Sequence, residues 1–334
     1  MIVPGRVTLG VPTLNRSKLV LRAVRSALAQ TYAEIEVVVS DDASTDDTLQ
    51  RLAEIKDPRL IVFPQQKRLG LVGNFDFCLR HATGEFFLLL GSDDALLSAA
   101  IEVLIDPFHN PPAPLRAQSI GMTWCPCHIV DGAGTRLWIT QPGPPVESPV
   151  SLLVELWAGN RGPRQTSMLM RTADAIDVGG FQARHGDLCD TGNWGRVVLP
   201  YEHVVCIDRA LVEVTNHPGN TTTHSSVRKW QEWARVQHAD LVATAKTTSH
   251  PGAERRLNSG KRNLLSGVTV SILHQTVGQP GWIRNAWKEA FRSPGLLLTP
   301  YVARRLAKDS WKLLRMWRSA GRARSNGVSA TNAK

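Results

Sequence analysis

Nowhere in the 334 residues do eighteen apolar side chains follow one another, so no membrane-spanning helix is expected. The opening MIVPGRVTLGVP lacks a basic stretch leading into an apolar one, so no signal peptide is expected either. Cysteine is scarce, odd in number and scattered (Cys78, Cys125, Cys127, Cys189, Cys206), which suits a reducing compartment and a cytoplasmic location. Cys125-Pro126-Cys127-His128 has no second pair of ligands to complete a zinc site and reads as strand residues. Glycine is missing where the first strand ends, at Val11-Pro-Thr-Leu-Asn-Arg16, which excludes a nicotinamide dehydrogenase. A nucleotidyltransferase, which needs a Gly-rich basic loop there, is excluded with it. No internal repeat is present.

What is there is an ordinary folded composition, 43% hydrophobic and 20% charged, with an uneven charge. The net charge is +10, and residues 284–334 alone hold 12 Lys/Arg against 2 acids, leaving 27 of each sign in the rest. Residues 300–319, PYVARRLAKDSWKLLRMWRS, read as a helix about 30 Å long at 1.5 Å per residue. Val302, Leu306, Leu313 and Trp317 share one side of it, and Arg304, Lys308, Lys312 and Arg315 another. Such a helix either lies on an anionic bilayer or packs its apolar side on the main body with a solvated basic face. Nucleic acid is not an expected partner.

The first hundred residues alternate strand and helix signals. Strands are read at Val7–Val11, Ile35–Val39, Leu60–Phe63 and Phe86–Leu90. Between them, Leu19, Val20, Ala23, Val24, Ala27 and Leu28 make one apolar helix face, and a second helix runs near Asn74–His81. Ser44 or Thr45 is expected to cap the helix after the second strand. This order predicts an α/β fold with a mostly parallel sheet flanked by helices. Residues 121–130 and 135–140 read as a hairpin around Asp131-Gly-Ala-Gly134. Helix resumes beyond Ser225, broken near Pro251, Pro280 and Pro294. We divide the chain into a domain at 1–224 (halves near 1–106 and 107–224), a basic helical extension at 225–320 and a disordered tail at 321–334.

Parallel strands deliver their ends to one edge, where ligands bind. The first brings Pro12-Thr13-Leu14-Asn15-Arg16, the second Asp41-Asp42, and the fourth, FFLLL, runs through Gly91-Ser92 into Asp93-Asp94. Two carboxylates about 4 Å apart repel by roughly 4 kcal/mol at an effective dielectric near 20, so a cation or solvent must meet them. Convergent carboxylates suit a hard divalent cation, Mg²⁺ or Mn²⁺, with phosphate oxygens completing its shell. They also accept hydrogen bonds from a ribose hydroxyl or a base N–H. A solvated turn or a helix-capping turn explains either pair alone, though poorly both together at the ends of two parallel strands.

The run VTLGVPTLNRSKLVLRAVRSALAQTYAEIEVVVSDDASTDDT, followed by LGLVGNFDFCLRHATGEFFLLLGSDDAL, resembles family 2 glycosyltransferases of the GT-A fold, and the likeness covers about residues 5–220. It implies an inverting enzyme that moves a sugar from a nucleotide diphosphate to an acceptor hydroxyl, with a divalent cation as cofactor. The expected carrier is uridine diphosphate, with thymidine and guanosine diphosphates as alternatives. The acceptor is a lipid-linked or growing saccharide, which favours a peripheral place on the inner face of the membrane. By the resemblance, Pro12, Thr13 and the first acidic pair hold the base, with Asp41 the favoured contact and Asp42 beside it. Asn15, Arg16 and Asn74 complete the nucleotide site. Asp93 approaches the ribose and Asp94 the cation. Ser92 stands where many relatives carry a further Asp, which implies a weaker metal site. Gly179-Gly180-Phe181, then Asp190, Trp194 and Arg196, is similar to the segment carrying the general base, here Asp190 with Asp187 as rival. Residues 160–167 resemble an acceptor-side loop, and His217 falls where relatives carry a His near the phosphates. The non-catalytic alternative is a relative that binds a nucleotide sugar without transferring it.

Overall fold

The computed structural model describes residues 1–217 and 226–275. The basic helix expected at 300–319, the tail at 321–334 and the breaks at Pro280 and Pro294 lie outside these residues.

Twelve strands and nine helices follow one another among the described residues. The first half runs β1 (Val3–Thr13), α1 (Ser17–Leu28), β2 (Ile35–Asp41), α2 (Thr48–Ala53), β3 (Leu60–Pro64), α3 (Gly70–Arg80), β4 (Gly84–Leu89), β5 (Ala95–Leu96) and α4 (Ala100–His109). The second runs β6 (Ile120–Trp124), β7 (Cys127–Val130), β8 (Arg136–Ile139), β9 (Val146–Glu147), α5 (Pro149–Trp157), β10 (Met168–Arg171), α6 (Thr172–Asp177), α7 (Cys189–Val198), β11 (His203–Cys206), β12 (Val212–Thr215), α8 (Val227–Lys246) and α9 (Ala253–Gln275). An eight-stranded sheet is ordered β3-β2-β1-β4-β10-β6-β11-β9, and a four-stranded one β5-β12-β7-β8. β3, β2, β1 and β4 are mutually parallel, whereas β10 runs antiparallel to β4 and β6. The expected α/β class and mostly parallel sheet are therefore present.

Strand alternation explains how one apolar run serves two faces. Phe87 and Leu89 of β4 enter the cluster formed with α5, α7, α8 and α9, while Phe86, Leu88 and Leu90 enter the one formed with α1 and α4. The expected strand 121–130 is interrupted at Cys125-Pro126, where proline supplies no ladder N–H. β6 stays in the large sheet, and β7 starts the small one and pairs with β8 around the Asp131–Gly134 turn. Asp46, rather than Ser44 or Thr45, receives the backbone N–H of Thr48 at the start of α2, at 3.0 Å.

Residues 226–275 share the body's core. Trp230, Leu241, Leu257 and Leu264 join Trp124, Trp157 and Trp194 in a single apolar cluster, so our boundary at 224 does not mark the edge of a core. Three glycines let α8 come close. A Cβ on Gly186 would lie 2.0 Å from the Trp233 ring, and one on Gly195 2.7 Å from Leu241. One on Gly192 would lie 2.4 Å from His185, whose ring in turn pairs with Asp240 of α8 at 2.6 Å.

Candidate active site

At the carboxyl edge of the sheet the loops are tied to one another. Asn15 takes the left-handed backbone region that asparagine tolerates, with φ 50°. There its amide N–H donates to Ser44 Oγ at 2.8 Å, and its Oδ1 accepts from Thr45 N at 2.8 Å. Ala43 also has a positive φ, 58°, a costly conformation for a residue with a Cβ and no polar side chain. The turn is held by the acids around it. Asp41, expected to contact the base, is wholly buried and accepts from Ser44 N and Oγ at 3.0 and 2.5 Å. Its neighbour Asp42 instead faces the ligand edge and receives the N–H groups of Leu69 and Gly70, at 2.5 and 3.2 Å, where α3 begins.

These loops enclose a cavity of about 320 Å³ lined by Pro12, Thr13, Leu14, Arg16, Asp42, Arg68, Gly70, Leu71, Asn74, Phe75, Gly91, Ser92 and Asp93. Six of the expected nucleotide residues thus meet in one place, and Asn15 and Asp41 support it from behind. Two polar atoms on its wall are buried without a partner: Thr13 Oγ1 and Asn74 Oδ1. Asn74 spends its amide N–H₂ on the carbonyls of Ser40 and Thr13, at 3.1 and 3.5 Å, which fixes its side chain between the first two strand ends.

The second acidic pair is built by the chain's own cations and hydroxyls. Gly91 makes the bend possible, since a Cβ there would lie 2.7 Å from Asp94 Oδ2 and 3.1 Å from Asp93 Oδ1. Asp93 Oδ2 receives Arg16 Nη1 at 2.8 Å and lies 3.0 Å from His217 Nε2. Asp94 turns inward, accepting from Thr215 N at 3.0 Å and from Thr166 Oγ1 at 2.6 Å. Arg22 of α1 reaches the Asp93 carbonyl (3.5 Å), Thr215 Oγ1 (3.0 Å) and Glu213 (2.7 Å), and so staples the turn to β12 just before His217. Burial first, and the Asp93 charge second, push the Asp94 carboxyl up to about 7, against the hydrogen bonds from Thr166 and Thr215.

A stability consequence follows. The folded pKa of Asp94 lies above its ordinary 3.8, so between about pH 4 and 7 the folded state holds more protons than the unfolded chain. Stability present below that window is lost as the pH rises through it. Asp94→Asn, which can still accept from Thr215 and donate to Thr166, is expected to flatten the fall in Tm across the window. A variant as steep as the parent assigns the slope to other groups.

As for a divalent cation, no group of three His, Cys, Asp or Glu is clustered among the described residues. Asp93 and His217 form a two-donor set of the right chemistry, and a cation that takes its remaining ligands from a diphosphate needs no more from the protein. Asp94, expected as the principal ligand, already accepts one protein hydrogen bond on each oxygen. Asp93, whose Oδ2 already receives Arg16 and faces His217, keeps its Oδ1 for such a cation, whereas both oxygens of Asp94 are engaged. Cys125 and Cys127 are buried free thiols.

Asp190 lies in the first turn of α7, with Thr191 N donating to its Oδ1 at 2.6 Å. It keeps a partly exposed surface, yet its dense surroundings raise its pKa, with the Arg164 charge opposing the rise. Asp187 sits in the short 3₁₀ stretch Ala183–Leu188 before it. The segment 164–166 connects the acids: Arg164 acts on Asp190 while Thr166 holds Asp94 and the N–H of Gly91 (3.2 Å). The Gly-Gly-Phe turn is fixed by Arg196, buried and donating to the carbonyls of Gly192, Val178 and Gly180 at 2.7, 2.9 and 2.9 Å. Arg22, Arg68, Phe75 and Thr215 were not anticipated as site residues, and Thr166, within the expected acceptor-side loop, was not expected to hold Asp94. Arg22, Thr215 and Thr166 act through contacts distant in sequence, for which no local pattern exists, and Arg68 and Phe75 line the cavity.

Residues 8–120 match the profile described as Glycosyl transferase family 2. A Mycobacterium tuberculosis protein, "Uncharacterized protein MT1568", is 29% identical over 65% of this chain and 69% of its own length. A Campylobacter jejuni "GalNAc(5)-diNAcBac-PP-undecaprenol beta-1,3-glucosyltransferase" is 39% identical over 28% of this chain and 32% of its own. The Escherichia coli "UDP-Glc:alpha-D-GlcNAc-diphosphoundecaprenol beta-1,3-glucosyltransferase WfaP" is 35% identical over 28% of this chain and 38% of its own. The chain thus spans about a third of the length of either glucosyltransferase. Among solved structures, S. aureus TarS 1-349 superposes with TM-score 0.59 at 19% identity, covering 84% of this chain and 78% of that one. Its complex with UDP-GlcNAc gives TM-score 0.57 over 83% and 74%. These likenesses agree with the GT-A fold.

Proposed function

Starting from a chain that belongs to the family 2 glycosyltransferases through its residues 8–120, we propose that it transfers a sugar from UDP to a hydroxyl of a lipid-linked saccharide, with inversion. The observation carrying this reading is the cavity at the strand ends, where Thr13 and Asn74 meet Asp42, Arg16 and Asp93. UDP as carrier is supported by the TarS complex with UDP-GlcNAc and by the donor in the name of the Escherichia coli relative. The lipid-linked acceptor is supported by the diphosphoundecaprenol substrates in the relatives' names.

Thr13 and Asn74 meet the polar edge of the nucleoside, and Asp42 braces the Leu69–Gly70 turn that closes it. Arg16 and Arg68 supply positive charge along the diphosphate. Asp93 and His217 would hold Mg²⁺ or Mn²⁺, which when bound offsets charge on the leaving diphosphate. Asp94 keeps the turn in shape through Thr166 and Thr215. As the acceptor oxygen bonds to the anomeric carbon, the bond from that carbon to the diphosphate oxygen breaks. The hydroxyl proton passes to Asp190, whose burial favours holding it. One displacement inverts the centre.

Among the described residues no helix is long and apolar enough to cross a membrane. Peripheral attachment by the 12 Lys/Arg of residues 284–334 is part of the proposal, at roughly 1 kcal/mol for each near an anionic surface. The test is transfer from UDP-glucose and UDP-GlcNAc to a GlcNAc-diphospho-lipid in anionic vesicles, with and without chelator. Vesicle sedimentation of the full chain is compared with that of one ending at residue 283. Product formation that the chelator abolishes, on vesicles that only the full chain binds, is expected. Nucleotide sugars bound but never hydrolysed or transferred would reduce the protein to a binder. Chelator-resistant transfer removes the cation.

A further inference from the structure

We infer that Asp76 of α3 is a positioning residue that holds Asp190 in register with the nucleotide cavity, an inference that rests on the transferase reading above. Three successive residues of α3 reach three different partners, as one turn of helix allows. Asn74 is tied to the strand ends through the carbonyls of Ser40 and Thr13. Phe75 lines the cavity, and its ring meets Phe181 edge to face with centroids 5.6 Å apart. Asp76 stays off the cavity wall, and its Oδ1 accepts the backbone N–H of Phe181 at 3.0 Å, across 105 residues of sequence.

From Phe181 a short run of hydrogen bonds leads to the base. Gly180 O accepts from Arg196 Nη2 at 2.9 Å, and Arg196 Nε donates to Gly192 O at 2.7 Å. Gly192 lies two residues past Asp190 at the start of α7. The approach at the other end is close. A Cβ on Gly180 would lie 2.1 Å from Asp76 Oδ1, so a glycine there lets the turn reach this carboxylate. Arg80 Nε donates to the other oxygen at 2.6 Å and fixes its direction. That i,i+4 pair contributes little to stability by itself. The bond to Phe181 N, by contrast, joins the helix that walls the nucleotide to the turn that leads into α7. Transfer needs both at once, because the base must meet the acceptor hydroxyl while the donor is held in the cavity. A misplacement of about 1 Å can cost on the order of 10²-fold in rate.

Asp76→Ala removes the acceptor, and Asp76→Asn keeps an oxygen for Phe181 N. UDP is titrated calorimetrically into the full-length parent and both variants. Transfer from UDP-glucose and UDP-GlcNAc to a GlcNAc-diphospho-lipid is measured in each, alone and combined with Asp190→Asn. UDP should bind the alanine variant within about twofold of the parent, which also shows that the variant folds. Its kcat should fall by about 10²-fold, and asparagine should restore it to within about threefold. In the Asp190→Asn background the alanine change should cost less than about threefold, since no base is left to misplace. A loss of similar size in both backgrounds shows a role unrelated to the base and overturns the inference. So does an alanine variant whose kcat stays within about threefold of the parent's. Asp190→Asn keeping the parent's turnover would defeat the base assignment, and the inference with it, in a measurement that does not involve Asp76. Should the alanine variant fail to fold, Asp76→Ser, whose hydroxyl stops one bond short of Phe181 N, is read the same way.

Discussion

Replacing Asp190 with asparagine is expected to lower kcat by about 10²–10⁴-fold, the range a positioned general base supplies, while UDP affinity stays within about twofold. The reason for the split is spatial. The cavity at the strand ends is walled by Asp42 and residues of the loops 12–16, 68–75 and 91–93, and Asp190 is not among them. Asparagine keeps the shape and an oxygen for Thr191 N, and it removes a carboxyl whose ionisation burial opposes. Stability should therefore hold or rise, so lost turnover cannot be blamed on unfolding. The raised pKa carries a second signature. The acidic limb of kcat/KM should lie above the ordinary carboxylate value of 3.8, with rate falling as pH drops through it. Asp187→Asn is the companion measurement. If it loses turnover while Asp190→Asn keeps it, the base is three residues earlier than we place it.

Arg196→Met is expected to destabilise the protein by roughly 3–5 kcal/mol, because removing one partner strands the buried groups it satisfied. Arg196 is only 5% exposed, and its surroundings disfavour its charge, chiefly through desolvation. It is retained because its guanidinium serves three carbonyls at once, those of Val178, Gly180 and Gly192. No apolar side chain and no lysine ammonium spans the same three acceptors in one plane. The Gly-Gly turn it secures has φ 90° and 64° at Gly179 and Gly180, and a Cβ on Gly180 would lie 2.1 Å from Asp76. Urea unfolding measures the loss, and a change below about 1 kcal/mol would show that solvent reaches those carbonyls after all.

Much of this architecture can be read from local pattern. The alternation of β-branched runs and amphipathic segments announces the parallel half of the sheet, and parallelism alone brings residues 12–16, 41–42 and 93–94 to one edge. Phase is harder. Consecutive residues of an extended chain face opposite ways, so Asp41 and Asp42 cannot both address a ligand, and local sequence does not say which one turns inward. The structure turns Asp41 onto Ser44 and leaves Asp42 at the cavity. Sheet changes are equally hidden: Ile120–Val130 looks like one strand, but Pro126 sends its second half into another sheet. Arg22 and Thr215 are 193 residues apart in sequence and 3.0 Å apart in space, and Thr166 lies 72 residues from Asp94. Their contribution depends on tertiary contacts that no window of sequence contains. For the same reason α8 and α9 read as an appendage, because their apolar faces are evident but the surface that receives them is not.

The bare backbone at residues 186, 192 and 195 turns that appendage into an inheritance. A recombinant that splices this catalytic half to a relative's closing helices must import matching relief beneath each large side chain, or the two will not seat. Exchanging C-terminal portions between homologues will consequently give folded chimeras only when these three positions travel with the graft.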